Sequence, residues 1–256
     1  MTLAERLNGG TVSFCAWSGV PDSLTVEMVS RLSFEVVNLD MQHGAHHEDS
    51  VARCIPSITG AGKHAIVRVP VGRFDMASRA LDLGAEAVIA PMINTVEDAR
   101  RFAAAMKYPP AGERSWGPTF AMPRSGIGSQ AEWLATQNRR TLAFAMIETR
   151  AAYAILDDIL AVPGIDGVFL GPSDFSIAWT DGALVNASHE DMMVAVADIG
   201  GRARKAGKFA AIFAVDPVIT GRYARMGYQM VAIGGEAAYM RVGAENLLAA
   251  ARGSIA

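Results

Sequence analysis

Cysteine is scarce. Only Cys15 and Cys54 occur in 256 residues, too few for a disulfide framework, and Cys15 sits in an apolar run as a buried thiol would. No apolar run approaches the ~18 residues that a membrane span needs. Long Lys/Arg runs are missing as well, and the formal net charge is −3, so nucleic acid is not the expected partner. The lysines are Lys63, Lys107, Lys205 and Lys208; none ends an apolar run, which argues against imine chemistry on a lysine. Met1–Asn8 carries acid where a secretory leader carries base and has no apolar centre. A soluble, cytoplasmic protein with no membrane partner is the expectation.

What is present is core-forming material. Hydrophobic residues make up 51% and charged residues 19%, a balance that buries a large core and excludes disorder. Apolar, β-branched runs recur at 11–17, 35–40, 64–69, 86–91, 141–148, 166–170, 208–214 and 229–234. They are continuous more than alternating, as parallel strands covered on both faces should be. Helical patterns lie between and after them at 23–32, 49–61, 75–83, 95–105, 151–160, 190–206, 217–226 and 237–252. Gly62, Gly84, Gly207 and Gly227 follow four of these as left-handed caps would. Eight βα units in about 250 residues predict an α/β fold, a single-domain TIM (β/α)8 barrel over 1–256. An open doubly wound sheet is the rival, but no Gly-x-Gly-x-x-Gly follows the first strand. Two long gaps, around Tyr108–Pro118 and from Trp179 to Asn186, mark loops of functional interest.

In such a barrel the site forms at the carboxyl ends of the strands. The expected ends bring together Trp17, Asp40 with His43, Arg68, Pro91-Met92, Glu148 and Gly171-Pro172-Ser173-Asp174. Glu148 and Asp174, on adjacent strands, suit a hard divalent cation that keeps waters and takes substrate oxygens. The plain alternative is a pair of acids held by Arg68 or by backbone N–H groups. Arg68 otherwise offers a planar fork for a carboxylate or carbonyl oxygen. His43 stands three residues after Asp40, close enough for an acid to support a general base. A zinc reading of His43, His46 and His47 lacks a second cluster of ligands, so His46 and His47 read as a solvated loop before an acidic first helical turn. The turn at Gly171–Asp174 offers backbone N–H groups to a carboxylate, or is an ordinary βα turn. Gly234-Gly235 offers a weaker approach for a phosphate.

Taken together, Asp40-Met41-Gln42-His43, Arg68, the Tyr108–Arg114 turn, Ile147-Glu148-Thr149 and Gly171–Ser176 resemble the HpcH/HpaI aldolase family, over nearly the whole chain and in the family's order. The likeness is nearest to class II pyruvate aldolases acting on 4-hydroxy-2-oxo acids. It implies a barrel whose last helix is exchanged between subunits of a hexamer. It also implies Mg²⁺, Mn²⁺ or Co²⁺ on Glu148 and Asp174, with the 2-oxo acid chelating the ion. Arg68 then steadies an enolate, and His43 transfers a proton through a metal-bound water, oriented by Asp40 or Asp82. Gly171, Pro172 and Ser173 form the carboxylate pocket and Trp17 lies against the pyruvate moiety.

Two departures from the family's pattern stand out. Gln42 replaces an acid beside the base, and Ser115-Trp116 replaces a glycine after Arg114, adding bulk near the pocket. Phe213, near the end of the seventh strand, is a second bulky group for the aldehyde side. The rival functions are a CoA-ester lyase of the malyl- or citramalyl-CoA type, for which no basic cluster is found, and a barrel that binds metal and oxo acid without turnover.

Overall fold

The computed structural model describes residues 1–255. Eight strands close into one parallel barrel in sequence order: β1 (Ser13–Ser18), β2 (Val36–Asp40), β3 (His64–Arg68), β4 (Ala87–Ala90), β5 (Leu142–Ile147), β6 (Gly167–Leu170), β7 (Phe209–Ala214) and β8 (Met230–Ile233). The expected (β/α)8 architecture is the one observed. The helices are α1 (Leu3–Asn8), α2 (Ser23–Ser30), α3 (Glu48–Gly60), α4 (Phe74–Leu83), α5 (Val96–Met106), α6 (Ala121–Arg124), α7 (Gln130–Arg140), α8 (Arg150–Ala154), α9 (Leu156–Leu160), α10 (Pro172–Trp179), α11 (Met193–Lys205), α12 (Thr220–Arg225) and α13 (Glu236–Gly253).

Strand residues alternate between two cores. Val37, Leu39, Val67, Val88 and Val168 face the helices, whereas Cys15, Ile66, Ile89, Phe144, Met146 and Phe169 fill the barrel. Leu3 and Leu7 of α1 close the amino-terminal end of that inner core. Gln229 Nε2 holds the Leu7 carbonyl, and the Leu3 N–H donates to Glu86. Apart from Phe14 on β1, both faces of the strands are therefore occupied, which is why the runs are continuous rather than alternating.

Several elements depart from the sequence reading, α1 and α6 among them. The gap before β5 holds α7, capped by Ser129 and anchored by buried Trp133 and Gln137. The turn after β6 is the first turn of α10, with Pro172 at its start, where proline loses no hydrogen bond. The single helix expected over 151–160 is divided at Ile155 into α8 and α9.

The last helix is unlike the others. Glu236 is its only buried residue, and Met240, Val242, Leu247 and Leu248 are all exposed. Phe14 on β1 and Leu24 and Met28 on α2 are uncovered too. Among the described residues, no helix is long and apolar enough to cross a membrane.

Candidate active site

Side-chain parity builds the site. Trp17, Arg68 and Glu148 each lie two residues beyond an inward-facing apolar residue (Cys15, Ile66 and Met146), so they point into the barrel mouth. A cavity of about 710 Å³ opens there, lined by Trp17, Asp40, His43, Arg68, Glu148, Gly171, Pro172, Ser173, Asp174 and Phe213. These ten residues, from six parts of the sequence, were expected to meet, and they do. No lysine lines the cavity.

Register places Asp40 directly beside Arg68. The two make a buried fork: Nε to Oδ1 at 2.8 Å and Nη2 to Oδ2 at 2.7 Å. Trp17 adds its indole N–H to Oδ2 at 3.2 Å and its ring face to the guanidinium, 4.8 Å away. Burial pushes the Asp40 carboxyl up, but Arg68 and the Gln42 N–H more than offset this and hold it below its ordinary value. Arg68 Nη1 has no protein acceptor among the described residues.

Glu148 has no such cation. Its Oε2 accepts the Met92 N–H at 2.8 Å, and it is 2% exposed. Burial first, with the Asp174 charge adding to it, pushes Glu148 up to about 7 against the pull of that hydrogen bond. Met92 holds a left-handed backbone, φ 55°, rare for a residue with a side chain and a source of local strain. Gly171 permits the close approach on the other side, since a Cβ there would meet Glu148 Oε1 at 2.5 Å. Among the described residues, no cationic side chain pairs with Glu148 or Asp174. Asp40 occupies the Arg68 fork, so Arg68 makes no ion pair with either acid, although its nearby charge pulls the Glu148 carboxyl down.

At the turn after β6, the Ser173 and Asp174 N–H groups sit in the first turn of α10, where no backbone carbonyl precedes them as acceptor. Trp17, Phe169 and Phe213 form an aromatic wall, with centroids 5.6 and 5.4 Å from the Trp17 ring.

The loop after β2 requires corrections. Asp40 accepts the His43 backbone N–H at 3.4 Å, yet neither Asp40 nor Asp82 bonds the imidazole among the described residues. Asp40 is committed to Arg68, and Asp82 on α4 bonds Arg114 at 2.6 Å outside the cavity lining. Burial lifts Asp82 despite that arginine. Trp116 is 45% exposed, stacks toward Tyr108 and does not line the cavity. His46, expected in solvent, is 4% exposed. Its Nε2 lies 2.9 Å from Ser18 Oγ and its Nδ1 lies 3.0 Å from Ser50 Oγ. Because Ser50 donates to the His47 carbonyl, the network assigns the His46 proton to Nδ1. Burial holds this imidazole below its ordinary pKa.

The sequence reading missed Gly19, Val20, Met146, Phe169 and Glu236, all of which line the cavity. For Met146 and Phe169 the two-residue parity was an available signal. Glu236 had only its place directly after β8.

Residues 14–241 match the HpcH/HpaI aldolase/citrate lyase family. The chain belongs to that family. It is 35% identical to a hydroxypyruvate/pyruvate aldolase from Rhizorhabdus wittichii over 249 residues, covering 96% of each chain. A hydroxypyruvate/pyruvate aldolase from Roseovarius nubinhibens is 33% identical over 233 residues, 91% of this chain and 90% of that one. Among solved structures, an HpcH/HpaI aldolase from Desulfitobacterium hafniense superposes with a TM-score of 0.89 at 25% identity, covering 98% of this chain and 97% of the other.

Proposed function

We propose that this family member is a divalent-metal-dependent aldolase, joining pyruvate or hydroxypyruvate to an aldehyde and cleaving the resulting 4-hydroxy-2-oxo acid. One observation carries the reading: a buried Asp40–Arg68 fork with a free Nη1 faces two acids that have no cationic partner, in one cavity. Relatives named hydroxypyruvate/pyruvate aldolase support the substrate class.

Glu148 and Asp174 fit a hard cation such as Mg²⁺, Mn²⁺ or Co²⁺, since oxygen donors without a protein counter-charge are what such ions take. Bound there, the ion supplies Lewis-acid stabilisation of negative charge on oxo-acid oxygens. The N–H groups of Ser173 and Asp174 receive the substrate carboxylate. Arg68 Nη1 donates to the oxo oxygen and stabilises the enolate as charge develops. His43 takes the 4-hydroxyl proton during cleavage, a second transfer protonates C3 of the enolate to give pyruvate, and synthesis runs both transfers in reverse. Trp17 and Phe213 shield the reacting carbons from water.

Pyruvate release from 4-hydroxy-2-oxo acids and glyoxylate release from malyl-CoA, followed side by side, test the assignment. Turnover of the former is expected; turnover of malyl-CoA alone overturns it in favour of a CoA-ester lyase.

We also infer that α13 seats on another copy of the chain, in the exchanged arrangement of a hexamer. Its bare apolar face and the uncovered Phe14, Leu24 and Met28 complement each other in kind. Sedimentation of the intact protein as a monomer would sink this.

A further inference from the structure

The last helix begins inside the cavity and ends in solvent. Glu236, its first residue, is 6% exposed, whereas Met240 is 66% and Leu247 74% exposed. Glu236 Oε2 accepts the Gly19 N–H at 3.0 Å across the β8–β1 seam. Its Oε1 is buried with no partner among the described residues. Burying the side chain with one oxygen unpaired is costly, and the Gly19 bond is its one compensation among the described residues.

Gly19 is the point against which the His43 loop is laid. Its carbonyl accepts the Ala45 N–H at 2.8 Å. A Cβ on Gly44 would stand 2.8 Å from the Gly19 Cα, so the two backbones touch. Ser18, one residue earlier, bonds His46. The other side of the loop is fixed by Asp40, which accepts the Gln42 and Gly44 N–H groups at 3.0 Å. His43 therefore stands between two clamps, one held by Arg68 and the other by Glu236.

We propose that Glu236 is a positioning residue: through Gly19 it fixes the loop that presents His43 to the cavity, and so ties proton transfer to the seat of α13. The proposal rests on the aldolase reading, in which His43 moves the proton. It acts by one accepted hydrogen bond, which glutamine can also make and alanine cannot.

The test compares Glu236→Ala, Glu236→Gln and, should alanine fail to fold, the shortened Glu236→Asp. Steady-state kinetics and backbone amide exchange over 41–47 are read on protein of wild-type oligomeric state. Displacing a reacting group by a fraction of an ångström to 1 Å predicts a fall in kcat of about 10- to 100-fold for alanine, with KM for the oxo acid little changed. Amides of Gly44 and Ala45 should exchange faster in the same variant. Glutamine should restore both readouts to within about threefold of wild type. Wild-type kcat and exchange in Glu236→Ala overturn the proposal. Equal losses in the alanine and glutamine variants overturn it too, since charge and not the bond would then matter. If the wild-type protein makes no aldol product, the aldolase reading fails, while the exchange comparison still decides whether Glu236 holds the loop.

Discussion

Two acid-bearing corners of the same cavity are built in opposite ways. At the β2–β3 corner, Asp40 is buried and fully answered by the Arg68 fork, the Trp17 indole and three backbone N–H groups. At the β5–β6 corner, Glu148 is buried to a similar degree and receives a single backbone N–H. The first corner is complete within the protein. The second is left unanswered by the protein, so that Glu148 holds its proton to about pH 7 unless a cation is added, and that is the physical mark of a place for one.

The comparison is broken most directly by removing metal. Exhaustive chelation, verified by elemental analysis, should abolish aldol cleavage without unfolding the barrel, because no core contact depends on the ion. Full activity in that preparation returns Glu148 and Asp174 to a structural role. Next in size is Arg68→Ala, which should lower kcat by ~10²–10³ while the fold persists, with lysine rescuing poorly for want of the planar fork. Near wild-type turnover in folded Arg68→Ala protein removes Arg68 from the mechanism.

Stability sharpens the same contrast. Asp40→Asn strands a buried guanidinium and should cost about 3 kcal/mol in denaturant unfolding. Asp174→Asn, at an exposed position, should stay within about 0.5 kcal/mol without metal. Equal costs at the two sites would erase the distinction between the corners. The smallest effect concerns pH. Folded Glu148 keeps its proton up to about pH 7, while the unfolded chain releases it near the ordinary 4.5. The folded state thus binds more protons across that window, and metal-free stability must fall as pH rises through it, by at most roughly 3 kcal/mol. Glu148→Gln should remove this slope between pH 5 and 8. Parallel slopes for wild type and variant would show that the acid is not held protonated.

The barrel was legible because almost every strand residue is buried on one face or the other, so the apolar runs stood out uninterrupted. The polar rim was legible for the complementary reason: Asp40, Arg68 and Glu148 interrupt those runs only at their carboxyl ends. Partnership was not legible. Spacing puts Asp40 near His43, and only the strand register shows that Arg68 claims it. His46 looked solvated because nothing local reveals that Ser18, 28 residues away, bonds its ring. The α7 segment reads as loop because its side chains are mostly exposed and polar, with Trp133 and Gln137 alone buried. Likewise Glu236 makes its one bond to a residue 217 positions away, beyond the reach of any pattern in the chain.

That separation has a kinetic side. Pairing of Ser13 with Met230 and Cys15 with Ala232 closes the barrel only when the two ends of the chain have found each other. Contacts so distant along the sequence form late and slowly, since the loop entropy between them must be met first. The β1–β8 seam should therefore be the last edge to zip in refolding, leaving two unpaired strand edges in the species just before it. Such edges pair readily with those of another chain. Refolding yield should fall with rising protein concentration, and the intermediates trapped should protect β3 to β5 against amide exchange while leaving β1 and β8 open.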